Sequence, residues 1–136
     1  MKRVVLDTNV LVSANLTSEG NPAKIVDLVS YSKLHLLYCP EILDEYKRVL
    51  AYEKLDIPVT AQSKAIEGIR KLGELVEPTV STIPLADETD RIFYDTAKES
   101  GAILVTGNTK HFPNESFIMT PADFLASLEN NPKNSI

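Results

Sequence analysis

The sequence predicts a single α/β domain in three layers, with a mostly parallel central sheet of about five strands flanked by helices. Two observations carry that expectation. Short apolar runs alternate with longer segments whose apolar residues recur at helical spacing, and Gly, Pro, Asn or Asp punctuate the joints between them. The 136 residues and 43% hydrophobic content suit one continuous core.

Arg3 to Leu6 reads as the first strand. Asn21-Pro22 then starts a helix, with proline at its first position and Ile25, Leu28 and Val29 on one face. His35 to Cys39 is the second strand, and Pro40 opens a helix striped by Ile42, Leu43, Tyr46, Val49 and Leu50. Thr60 is expected to cap a helix that faces Ala65, Ile66, Ile69 and Leu72 inward and stops at Gly73. Leu75 and Val76 begin a short strand, and Asp87 is expected to cap a helix carrying Ile92, Phe93, Thr96 and Ala97 inward, ended by Gly101. Ala102 to Thr106 and Phe117 to Met119 complete the strands, and Thr120-Pro121-Ala122-Asp123 spells a final helix start. The domain is expected over residues 1–129, with residues 130–136 as a frayed tail.

No stretch is apolar enough to span a bilayer, and the N-terminal run carries an acid where a signal peptide needs none, so the chain is expected to be cytoplasmic. One cysteine, Cys39, has no partner for an internal disulfide. The formal net charge of −5 has the wrong sign for holding nucleic acid by phosphate neutralisation alone. A nucleic-acid role therefore requires cations or a local basic patch.

In open α/β sheets ligands bind beyond the carboxyl ends of the strands, where strand order reverses. Asp7 follows Val4-Val5-Leu6 directly, and Thr106-Gly107-Asn108 follows Ile103-Leu104-Val105, so both are expected at one crevice. An acid at the end of a buried strand demands compensation, from a cation or from a turn whose N–H groups it accepts. On the Pro40 helix, Asp44 falls near the solvent pole and Glu45 on the shoulder of the apolar stripe, within reach of a crevice. At Asp87-Glu88-Thr89-Asp90 a helix start rewards acids by roughly 0.3 to 1 kcal/mol each. That explains Asp87 better than Asp90, which lies one turn on and flanks the inward stripe. Converging carboxylates repel unless a cation lies between them, and oxygen donors suit magnesium or manganese. His35 and His111 have no second histidine at ligand spacing, which argues against zinc.

Four segments, VVLDTNVLVSA, EILDEYKRVL, ADETDRIFYDTA and ILVTGNTKHFP, resemble the PIN domain family in its VapC-like form, with TPADFL as a weaker match. The resemblance spans nearly the whole chain. It implies a metal-dependent ribonuclease, with Asp7, Glu45 and Asp90 as catalytic carboxylates holding Mg²⁺ or Mn²⁺. Asn108 stands where many PIN domains have a fourth aspartate; its amide oxygen can ligate but supplies no charge. Thr8, Asn9 and Thr106 resemble the polar residues that brace the acids, with Ser13 a weaker candidate and Asp87 an acidic lead-in. Lys110, His111 and Arg91 are expected to contact substrate phosphate, and Phe112 to pack.

The implied reaction is hydrolysis of RNA phosphodiesters. The resemblance also implies the toxin role in a toxin-antitoxin pair, a small protein antitoxin, and homodimerisation. The alternative is a PIN-like module that binds RNA or protein without turnover, for which Asn108 is the main argument. A haloacid-dehalogenase-type phosphotransferase would need an acid where Asn9 stands.

Overall fold

The computed structural model describes residues 1–129. The strands are β1 (Lys2–Leu6), β2 (Leu34–Tyr38), β3 (Glu74–Leu75), β4 (Ile103–Val105) and β5 (Ile118–Met119), and the helices are α1 (Thr8–Leu16), α2 (Asn21–Ser30), α3 (Pro40–Leu50), α4 (Val59–Leu72), α5 (Arg91–Ser100) and α6 (Pro121–Glu129). They form an α/β domain whose five-stranded sheet runs β3-β2-β1-β4-β5 with every pairing parallel. Parallel strands need crossovers, and the helices supply them. The expected tail lies outside the described residues.

β1 is the middle strand, and burial follows from that position: Val4 and Val5 are fully buried and Leu6 nearly so, whereas the edge strand β3 is exposed. From β1 the chain builds outward through β2 and β3, then returns to the other side of β1 for β4 and β5. Strand order therefore reverses between β1 and β4, which opens a crevice beyond their carboxyl ends. Asp7 and Thr106 are the residues at those two ends.

Local expectations change at α1, Thr60, Leu72 and Asp87, while Gly73 ends α4 as expected. The segment after Asp7 is helix α1 and not a turn. Its run TNVLVSANL has no polar face and two β-branched valines, so periodicity alone does not reveal a helix. Helix α4 starts at Val59 after Pro58, with no side-chain cap from Thr60. Its Leu72, expected inward, is 37% exposed. At the end of α4, Gly73 is extended and not left-handed. It is needed for space, because a Cβ there would lie 2.7 Å from the Ile69 carbonyl oxygen and 2.9 Å from the Tyr38 ring. Asp87 caps a 3-10 turn, Glu88–Asp90, and α5 begins only at Arg91. Gly101 does end α5 in the left-handed region, at φ 64°. Thr120 caps α6, its hydroxyl accepting the Asp123 N–H at 3.1 Å.

Candidate active site

Asp7 is held on every side. Its backbone N–H extends the sheet to the Val105 carbonyl at 2.9 Å. Its side chain caps α1, with Oδ1 accepting from the Thr8 N–H at 2.8 Å, while Oδ2 accepts from the Thr106 hydroxyl at 2.7 Å. Asn9 completes the frame: its Nδ2 donates to Asp7 Oδ2 at 3.4 Å and its Oδ1 accepts the Gly107 N–H at 2.9 Å. These contacts tie the ends of β1 and β4 together. Burial raises the Asp7 pKa, and the bonds from Thr106 and Thr8 oppose that rise.

Glu45 stands on α3, partly buried, while Asp44 is exposed, as the helical wheel requires. The Thr8 hydroxyl donates to Glu45 Oε2, so one threonine binds both acids, through its N–H to Asp7 and through its hydroxyl to Glu45. Arg48 Nη2 lies 3.8 Å from Glu45 Oε1, an exposed pairing of little strength. Tyr46, the next residue, is 1% exposed and donates its hydroxyl to the Leu6 carbonyl beneath Asp7. Burial pushes the Tyr46 phenol well up, and the nearby charges of Asp7 and Glu45 push it further, so it stays a neutral donor.

Asp90 differs. Its Oδ2 is buried without any hydrogen-bond partner, and its pKa rises to about 6, first through burial and then through the charges of Asp7 and Asp87. A cation would satisfy such an orphaned carboxylate oxygen and offset the repulsion of the acids beside it. The donors gathered there are hard oxygens, which fit a divalent ion such as Mg²⁺ or Mn²⁺. Among the described residues, however, no three His, Cys, Asp or Glu side chains stand close enough to form a ready-made cage. The carboxylates are electrostatic neighbours, with Glu45 turned onto Thr8. The residues present fit a cation in the chemistry of their donors.

The remaining sequence-selected residues separate. Asp87 is exposed and occupied with Thr89, accepting from its N–H at 2.9 Å and its hydroxyl at 2.8 Å, which lowers its pKa. Arg91 is not free for substrate: Nε and Nη2 bind Glu88, Nη1 binds the carbonyl and hydroxyl of Ser81, and Nη2 also binds the Ile83 carbonyl. All five guanidinium N–H donors thus have acceptors. With Asp95 Oδ2, which accepts the Ser81 N–H at 2.9 Å, Arg91 straps the segment leading to Asp87. Lys110 and His111 are exposed on the 3-10 turn Thr109–His111, and Phe112 is buried. Among the described residues, Asp7 and Glu45 take their side-chain hydrogen bonds from Thr8, Asn9 and Thr106 and none from Ser13.

Sequence reasoning missed three contributors. Tyr46 was only a stripe residue, Asp95 sits buried on the inward face of α5, and Gly107 takes the Asn9 carbonyl where a Cβ would lie 3.3 Å from it. Gly107 alone had a signal, its place between Thr106 and Asn108 at a strand end.

A PIN domain family model matches residues 3–110 of this chain. The chain belongs to the PIN domain family. The uncharacterized protein MJ1680 of Methanocaldococcus jannaschii is 31% identical over 109 residues, 78% of this chain and 70% of the relative. The crystal structure of PAE2754 from Pyrobaculum aerophilum shares the fold with a TM-score of 0.61 at 16% identity, over 96% of this chain and 97% of the other. PIN domains are generally nucleases that use divalent metals. The matched span contains Asp7, Glu45, Asp90 and Asn108.

Proposed function

We propose that this PIN domain is a ribonuclease that hydrolyses RNA phosphodiesters with Mg²⁺ or Mn²⁺ held by Asp7, Asp90 and Glu45. The observation that carries this reading is the orphaned Asp90 Oδ2, buried within the field of Asp7, Asp87 and Glu45 at the strand-order reversal. When bound, a divalent ion supplies an activated water and stabilises negative charge on the phosphate oxygens.

The protein's own groups set up that chemistry. Thr106 and Thr8 fix the direction of the Asp7 carboxylate, and Thr8 fixes Glu45 from the same backbone position. Asn9 and Gly107 keep the two strand ends in register. The three carboxylates supply the charge that would hold the ion; Asn108 adds none, and its amide nitrogen is engaged by His111. Lys110 offers an exposed ammonium for substrate phosphate.

Manganese titration by calorimetry, paired with RNA cleavage, tests the assignment in wild type and Asp7→Asn. The variant is expected to lose cleavage by at least about 100-fold together with metal affinity. Equal Mn²⁺ binding and equal cleavage by both would sink the proposal. RNA binding without turnover in saturating Mn²⁺ would instead select the non-catalytic module, the reading that Asn108 favours. The VapC-like motifs support extending the proposal to the toxin of a toxin-antitoxin pair. Growth arrest on expression, relieved by Asp7→Asn, is the expected sign; unaffected growth argues against it.

A further inference from the structure

Asn108 and His111 meet across one 3-10 turn, with Asn108 Nδ2 2.9 Å from His111 Nε2. An amide nitrogen only donates, so Nε2 must accept and carries no proton. The ring's proton then resides on Nδ1. Nδ1 is 4.0 Å from Asp90 Oδ2, an ion-pair separation beyond hydrogen-bonding range. Among the described residues Nδ1 has no hydrogen-bond partner. The His111 side chain is 58% exposed and that of Asp90 15%, so the donor stands at the mouth of the crevice with the carboxylate behind it.

An aspartate at position 108 would do the opposite. It has only acceptor oxygens when ionised, so it would accept a hydrogen bond from Nε2–H and favour the tautomer whose Nδ1 carries no proton. The departure from the family's usual acid therefore exchanges a charge for a hydrogen bond that sets the ring's tautomer.

We propose, building on the ribonuclease reading, that Asn108 is a positioning residue that orients the His111 ring as an Nδ1–H donor, and that this N–H binds a nonbridging oxygen of the RNA phosphodiester. A phosphodiester approaching Asp7, Asp87, Asp90 and Glu45 meets negative charge on all sides. His111 supplies a directed contact at the entrance, before the cation is reached.

The experiment measures binding of a labelled single-stranded RNA by fluorescence anisotropy in Mg²⁺, with Mn²⁺ affinity by calorimetry and urea unfolding on the same samples. His111→Ala and Asn108→Ala are each expected to weaken RNA binding about tenfold. The double variant should be no worse than His111→Ala alone, because Asn108 acts through the ring. His111→Asn, which keeps an N–H near the place of Nδ1, should stay within about threefold of wild type. Mn²⁺ affinity and unfolding midpoints should not move. Additive losses, undiminished binding by His111→Ala, or His111→Asn falling as far as His111→Ala would each overturn the proposal. So would a loss of Mn²⁺ affinity in His111→Ala or Asn108→Ala, which would make those side chains metal ligands. Should wild type bind RNA yet neither hold Mn²⁺ nor cleave, the nuclease reading fails while the binding comparison still decides the role of His111.

Discussion

Asp7 and Asp90 are two buried carboxylates at one crevice, built in opposite ways. Asp7 is surrounded by donors from three directions, the α1 N-terminus, Thr106 and Asn9, and each compensates part of its burial. Asp90 follows a 3-10 turn, caps α5 in sequence without a side-chain hydrogen bond, and leaves Oδ2 with none. Burial raises both pKa values, but for Asp90 the neighbouring acids add to it, whereas for Asp7 hydrogen bonds subtract. The difference teaches which acid the fold itself requires. Asp7 is part of the architecture that joins β1 to β4, and Asp90 is left without compensation.

Substitution at the well-compensated corner should have the largest effect on stability. Thr106→Val keeps the shape of a fully buried side chain but removes the donor to Asp7 Oδ2 and the acceptor for the Asn108 N–H. Urea unfolding without metal should show a loss of about 2 to 3 kcal/mol. A loss below about 0.5 kcal/mol would mean that the two corners are not built differently.

At the other corner the sign should reverse. Asp90→Asn removes a charge that the fold does not compensate, so in EDTA the variant should be more stable than wild type by about 1 kcal/mol, while losing Mn²⁺ affinity. Thermal unfolding with and without Mn²⁺ reads both changes. A destabilised variant in EDTA would show that Asp90 is structural after all.

The pH dependence sharpens the same contrast. An acid whose pKa is higher in the folded state than in the unfolded one binds its proton more tightly when folded. Stability of the metal-free protein therefore gains from Asp90 as pH falls from 7 through about 6 toward the unfolded value near 3.8. Glu74, Asp87 and Glu88 are shifted downward, so what they contribute is lost only at more acidic pH. Between pH 7 and 5, wild type minus Asp90→Asn isolates the Asp90 contribution. Parallel stability curves in that window would contradict it.

The smallest expected effect belongs to Asp87. Its carboxylate caps only a 3-10 turn and is exposed, so Asp87→Ala should lower the thermal unfolding midpoint only slightly, and less than Thr106→Val does. Cleavage should fall far less than in Asp7→Asn. Equal loss of cleavage would move Asp87 into the metal site.

Much of the fold was legible because strands and amphipathic helices announce themselves by period. Pro40 and the stripe from Ile42 to Leu50 define α3, and the same wheel separates Glu45 from Asp44. Asp7 was legible because an ionisable residue directly after a buried strand is costly wherever the strand goes. α1 was not, since its polar residues Thr8, Asn9, Ser13 and Asn15 are spread around the helix and set no period. Arg91 illustrates the other limit: in sequence it is a cation beside acids, and only the folded chain returns Ser81 and Ile83 to occupy it.

By itself, then, the sequence determined the α/β alternation, the strand-end position of Asp7 and the polar cluster at Thr106-Gly107-Asn108, all consequences of local pattern and of the cost of burying charge. Only the tertiary structure decided that order reverses between β1 and β4, that Thr8 joins Asp7 to Glu45, that Asp90 is left uncompensated, and that Asn108 binds His111. Those are relations between residues up to 99 positions apart, or between side-chain directions, and neither period nor propensity encodes them.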